Sequence, residues 1–305
     1  MKALTPLIVL LKLCAFVFTP GAAMAGQLTA ATMHPVLTGV AKEIGGDRVI
    51  VTAIVPAGAD VHHFSPAPAH VKKLSGIQII LVSGKGMENY LDKLRSNLTA
   101  GQQIVEVGRS IPSIKIEPGD ETFMCCPEHA HGAIDPHWWN GVENMQRAGR
   151  IIADAFAEKD PANKDYYRSN AAAWSRRLDA LKKWAKKEIS VIPSERRKLA
   201  TAHISLSYFA KEFGFKLVPV QGLNHNTNAT PQELARAVKV VREQKIAAIF
   251  PEQGVNPKYL KQLAAETSVK VAPELIADGN GTGKLASFEA AFTSNVQTIV
   301  AALKP

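Results

Sequence analysis

Residues 161–192 read PANKDYYRSNAAAWSRRLDALKKWAKKEISVI. The run holds no glycine and only its opening proline, and Tyr167, Ala171, Trp174, Leu178, Leu181 and Ala185 recur in steps of four and three. That spacing lays one apolar stripe along a helix of many turns. A helix of this length between two patterned halves is a stiff connector, which restrains their relative motion more than a flexible linker would.

Each flank alternates short β-rich runs with helical patterns. Before the helix, Leu28 to Met33, Arg48 to Val55, Ile77 to Val82 and Ile104 to Val107 read as strands, and Val36 to Ile44, Pro66 to Leu74 and Met87 to Leu98 as helices. After it, the strands are Lys198 to Ala202, Lys216 to Val220, Ile246 to Phe250 and Val269 to Ala272. Helical stretches lie near 205–213, 231–243 and 257–267, and a closing helix runs from Ser287 to Leu303. This βαβα rhythm argues for parallel sheets covered by helices on both faces. The fold class expected is α/β, with two four-stranded parallel-sheet lobes joined by one long helix and no evident sequence repeat between them. The lobes occupy 26–160 and 193–305, and the linking helix 161–192.

The 305-residue chain is 46% hydrophobic, which suits two soluble cores of ordinary size. Residues 1–25 stand apart: Lys2 is followed by an apolar run from Leu7 to Phe18 broken by Lys12, then Pro20-Gly21 and Ala23-Met24-Ala25. This has the form of a cleaved secretory signal and is too short for a membrane span. Leu11-Lys12-Leu13 before Cys14 lacks the small residues of a lipid-attachment site. The expectation is therefore a periplasmic protein that is not a lipoprotein. Without Lys2 and Lys12 the net charge falls from +9 to +7. The basic residues are mixed with acids and have no interleaved aromatics to stack bases, so nucleic acid is excluded as a partner. Cys125 and Cys126 are adjacent, and neighbouring Cα atoms about 3.8 Å apart do not suit an ordinary disulfide.

Residues 115–134 resist the βα scheme. They hold Glu117, Asp120, Glu121, Glu128, His129 and His131 among glycines and prolines, and read as a long mobile loop of the kind that is functional or disordered.

Four metal-capable side chains, His62, His137, His203 and Asp278, lie far apart in the chain, each near the end of a strand or strand-loop. Such residues converge only when the whole fold closes around them, unlike the local Cys/His cluster of a structural zinc knot. His63 competes with His62, and Glu274 with Asp278.

The strings GADVHHFSP, DPHWW, TAHISLSYFAKEFG, PVQGLN and PEQGVNPKYLKQLAAETSVKVAPELIADG resemble the cluster A-I solute-binding proteins of zinc and manganese ABC importers, the ZnuA/TroA-like family. The resemblance implies two α/β lobes with the metal in the cleft between them, and His62, His137, His203 and Asp278 as its ligands. It departs at Asp60-Val61-His62, where the family has Asp-Pro-His, and at Trp139-Asn140-Gly141 after the third motif residue. Three imidazoles and one carboxylate suit tetrahedral zinc, with manganese the alternative. By the same resemblance Glu128, His129 and His131 form an auxiliary metal-collecting loop. The partners implied are an inner-membrane ABC permease and a periplasmic zinc metallochaperone, with the protein a monomer. An enzyme is disfavoured, since there is no His-Glu-x-x-His and Asp278 would fill the position that a zinc hydrolase leaves for water.

Overall fold

The computed structural model describes residues 27–116, 134–221, 230–279 and 281–305. The first lobe runs Leu28–Thr32 (β1), Pro35–Gly45 (α1), Val49–Ala53 (β2), Pro68–Lys72 (α2), Ile79–Val82 (β3), Leu91–Ser96 (α3) and Gln103–Glu106 (β4). Two helices follow, Val142–Lys159 (α4) and Lys164–Ile189 (α5). The second lobe is Lys198–Thr201 (β5), Ser207–Phe213 (α6), Lys216–Pro219 (β6), Pro231–Glu243 (α7), Ala248–Phe250 (β7), Lys258–Thr267 (α8), Lys270–Val271 (β8) and Phe288–Leu303 (α9).

All strand pairs are parallel, in the orders β2-β1-β3-β4 and β6-β5-β7-β8. The two lobes therefore repeat one topology. Successive strand residues point to opposite faces, and here both faces are covered. Leu28, Ala30, Ile79 and Leu81 enter one core cluster, while Ala31, Met33, Ile80 and Val82 enter another. In the second lobe Leu199, Ala248 and Phe250 share the first cluster, and Ala200, Ala202 and Ile249 face a third. Burial on two sides explains why these strands read as short continuous apolar runs rather than alternating ones.

The cluster common to both lobes is built on α5. Tyr167, Ala171, Trp174, Leu178, Ala185 and Ile189 are buried along it, and Leu181 packs partly buried beside them. The connector is thus the shared core of the molecule. Helix α4 is an element the sequence reading omits. Its charged residues interrupt every apolar run, yet Val142, Met145, Ala148, Ile152 and Phe156 are buried in steps of three and four. Helix α3 is shorter than the expected Met87 to Leu98 for a local reason. Glu88 accepts hydrogen bonds from Ser83 N at 2.6 Å and Gly84 N at 2.9 Å, which holds the preceding residues in a turn. Among the described residues no helix is long and apolar enough to cross a membrane.

Helices α4 and α5 meet closely at Gly149, where an added Cβ would lie 2.7 Å from Trp174 Cε3. Trp174 is buried and donates its Nε1–H to Glu289, so it has little freedom to retreat. The helix propensity that Gly149→Ala would gain, about 1 kcal/mol, is therefore outweighed by overpacking of about 1–3 kcal/mol. Chemical denaturation of the metal-free variant is expected to show a net loss of about 1 kcal/mol; equal or greater stability would mean that the two helices are not tightly apposed.

Candidate metal centre

In open parallel sheets ligands bind beyond the carboxyl ends of the strands, where the strand order reverses. Both lobes direct this end toward one cleft. His62 follows β2, His203 follows β5, Asp278 follows β8, and His137 precedes the single turn Trp138–Asn140 that leads into α4. His62, His137, His203 and Asp278 are all buried, and one potential ligand atom from each lies within 4.8 Å of the others. His62 Nε2 is 3.3 Å and His137 Nε2 is 3.8 Å from Asp278 Oδ1. The rings of His62, His137 and His203 stand 5.2–5.5 Å apart, centroid to centroid.

The competing residues are placed elsewhere. His63 is exposed, its Nδ1 2.8 Å from Asp60 Oδ2, while Asp60 Oδ1 accepts from His62 N at 2.9 Å. This Asx-type turn carries the chain over Asp60 and leaves His62 on the buried side. Glu274 is exposed, whereas Asp278 is buried. Glu128, His129 and His131 lie outside the described residues; the ends of their loop are joined by an antiparallel bridge between Lys115 and Ile134.

Two carboxylates that the sequence reading passed over fix two of the imidazoles. His137 donates Nδ1–H to Asp135 Oδ1 at 2.7 Å, and the same oxygen accepts His137 N at 2.8 Å. His203 donates Nδ1–H to Glu252 Oε2 at 3.2 Å. Glu252 also accepts from Ala202 N, His203 N and the Ser205 hydroxyl. Such carboxylate–histidine pairs put the lone pair on Nε2, the atom that faces the cluster, and raise its basicity. His137 Nε2 is a buried nitrogen with no hydrogen-bond partner among the described residues. In sequence these acids are indistinguishable from surface acids, although Asp135-Pro136-His137 does place one carboxylate two residues from a candidate ligand.

The Asp278 segment is held from both lobes. Asn295 of α9 brackets Ile276, accepting its N–H at 2.9 Å and donating to its carbonyl at 2.8 Å. The carbonyl of Ala277 accepts from Trp139 Nε1 at 2.8 Å and Asn140 Nδ2 at 2.7 Å. Asn140 also donates to Ser205 O at 2.8 Å.

Burial disfavours charge at His62, His203 and Asp278. It lowers the His62 pKa to about 4 against the attraction of Asp278. At His203 burial acts the same way, but the charge and hydrogen bond of Glu252, together with Asp278, outweigh it and push the pKa up to about 9. For Asp278 burial would raise the pKa, and the surrounding imidazoles hold it well below the carboxylate range. The buried site thus holds an ionised carboxylate at Asp278, a lone-pair nitrogen at His62 and an exchangeable proton on His203. It is equipped to exchange that proton for a cation. With four protein donors around one point, it lacks the open position of a hydrolytic zinc site.

Two α/β lobes closing on such a donor set define a metal-capturing protein of the binding class, not an enzyme. The profile of the family described as ZnuA, zinc-uptake complex component A periplasmic, matches residues 30–302, and the chain belongs to that family. It is 30% identical over 250 residues to the manganese-binding lipoprotein MntA of Halalkalibacterium halodurans, covering 82% of this chain and 79% of the relative. It is 30% identical over 258 residues to the metal ABC transporter substrate-binding lipoprotein SloC of Streptococcus mutans, covering 83% and 81%. Among solved structures, the Mn-bound periplasmic metal binding protein from Candidatus Liberibacter asiaticus aligns at TM-score 0.79 and 25% identity, covering 91% of this chain and 100% of that one.

The relatives correct one expectation. MntA and SloC are named lipoproteins, which overturns the reading of a freely diffusing protein without a lipid anchor. That reading rested on three residues before Cys14, a stretch outside the described residues. The ion-capturing fold itself is indifferent to a tether and gives no physical ground for excluding one.

Two outcomes follow. Glu252→Gln removes the charge that orients His203 and is expected to weaken metal binding about 10–100-fold; competition against a chelating dye would measure it, and unchanged affinity would remove Glu252 from the site. Because an entering ion must displace the His203 proton, apparent affinity is expected to rise by about tenfold per pH unit between about pH 6 and pH 8. A flat profile in dye competition would mean that His203 is already neutral there.

Proposed function

We propose that this protein captures Zn2+ between its lobes and delivers it, as a monomer, to the membrane permease of an ABC importer. His62 and His137 supply donors from the first half of the chain, and His203 and Asp278 from the second. The observation that carries the reading is the donor set itself: three buried imidazoles and one buried carboxylate within 4.8 Å of one another. Nitrogen-rich four-fold donation suits zinc, whereas manganese prefers more oxygen and a higher coordination number.

A second reading has its own support. MntA is named manganese-binding, and the aligned structure is Mn-bound. Manganese would then be the cargo, with water or the second Asp278 oxygen completing its coordination.

Delivery follows from the same chemistry. The ion is held by residues of both lobes, so displacing the strand-end loops of one lobe leaves only two donors in place and weak retention. The acidic and histidine-bearing segment around Glu128, His129 and His131 acts in this reading as a low-affinity collector that hands the ion on, with a periplasmic metallochaperone as a further partner.

Protein stripped of metal and reloaded from equimolar zinc and manganese is expected to retain one zinc per chain by mass spectrometry, with His203→Ala losing most of it. Manganese in the wild type would move the cargo to the second reading, and no stoichiometric metal in either would sink the site. A variant lacking residues 117–132 is expected to reach the same final occupancy more slowly in stopped-flow loading; an unchanged rate would count against the collector.

A further inference from the structure

The identical topology of the lobes exposes a repeat that the sequence alone did not suggest. Ala31-Thr32-Met33-His34 leaves β1, and Ala200-Thr201-Ala202-His203 leaves β5. Since β1 and β5 hold the same place in their sheets, His34 and His203 stand at equivalent positions, two residues past the strand where the strand order reverses.

Their surroundings differ at one atom. His203 donates Nδ1–H to Glu252, which leaves the Nε2 lone pair for a metal. His34 Nδ1 instead accepts Val36 N–H at 3.3 Å, as the N-cap of α1. In a neutral ring the proton must then sit on Nε2, so that this atom is a donor and not a ligand. The ring is buried, lies 4.2 Å from the Trp139 ring centroid to centroid, and its Nε2 has no hydrogen-bond partner among the described residues. A buried N–H of this kind requires an acceptor.

The carboxylate whose charge acts on His34 is Asp278. Gly279, at φ +64°, brings the Asp278 loop so near α1 that an added Cβ would lie 1.9 Å from Val36 Cγ2 and 3.5 Å from His34 Cε1. Asp278 Oδ1 faces His62 and His137, and its side chain keeps 8% exposure. We propose that His34 is a positioning residue for the cargo: its Nε2–H donates, directly or through one water, to Asp278 Oδ2 and restricts that carboxylate to a single oxygen on the metal. A one-oxygen carboxylate with three imidazoles gives four-fold coordination, whereas a two-oxygen grip would admit the higher coordination of a manganese-type ion. His34 thereby sets ion preference without touching the ion. This rests on the metal-binding reading above.

The test uses Co2+ as a coordination probe, with zinc and manganese competition alongside, on wild type, His34→Phe and His34→Gln. Four-coordinate Co2+ absorbs visible light several times more strongly than higher-coordinate Co2+. Wild type is expected to give the intense spectrum. His34→Phe keeps a ring against Trp139 but has no donor; it should lose intensity and reduce the zinc-over-manganese preference about tenfold. His34→Gln, whose amide can donate from a similar position, should restore both. A wild-type spectrum and preference in His34→Phe would overturn the proposal, as would equal shifts in both variants, which would indicate packing alone. Should His34→Phe not fold, long-range 15N–1H spectra of the loaded wild type decide: the proton of His34 is expected on Nε2, and its presence on Nδ1 overturns the assignment. Wild type that binds none of the three ions would overturn the metal-binding reading as well, whereas binding without the His34 effect would overturn this inference alone.

Discussion

Asp278 is an ionised carboxylate removed from water, and imidazole nitrogens of His62 and His137 face its Oδ1 at 3.3 and 3.8 Å. Isolating a charge in this way costs several kcal/mol unless a cation answers it. In the metal-free protein the answering charge is the proton on His203, itself drawn there by Glu252. A divalent ion at the same point satisfies Asp278 more fully and uses the imidazole lone pairs as well. Proton and metal therefore compete for one electrostatic position, and Asp135, Glu252, Trp139 and Asn140 serve to hold the competing groups where that contest takes place.

The architecture limits how the contest can be resolved by motion. A single core cluster passes from the first sheet, through α4 and α5, into the second sheet. Parting the lobes as rigid bodies would shear contacts at Trp174, buried on α5 against Gly149 of α4 and bonded to Glu289 of α9. Ala277 O, one residue before Asp278, accepts from Trp139 and Asn140 across the cleft. Releasing those two donors would free Asp278 without disturbing the core, so release of the ion is more easily triggered at the loops than at the connector.

The sequence carried the connector and the strands because their signals are local. The apolar stripe on α5 and the short β-branched runs each lie within one element, and burial on both sheet faces preserved them. Helix α4 was missed although its buried positions keep helical spacing, because Glu143, Arg147, Arg150, Asp154 and Glu158 fragment the apolar runs. The four clustered side chains were singly weak signals, each near the end of a strand or strand-loop, and could be picked out through the resemblance of the surrounding motifs to a family. Asp135 and Glu252 could not, since a carboxylate shows its role only through what it accepts from, and Glu252 reaches His203 across 49 residues of chain. The strand order that makes His34 and His203 equivalent likewise exists only in three dimensions.

That equivalence bears on how a shared donor set can serve different ions among relatives. Among the described residues four buried histidines surround or adjoin the cleft, and ligand residue types alone would permit any of them to bind. What separates His34 from His203 is whether Nδ1 meets a backbone N–H or a carboxylate, a choice made by α1 in one lobe and by the turn after β7 in the other. The tautomer, not the residue type, decides which nitrogen faces the ion. Coordination number then depends on groups one bond removed from the metal, which substitution can change while all four ligands stay in place. A chain about 30% identical to a manganese-binding relative can on this ground retain the family's cleft and still favour another ion.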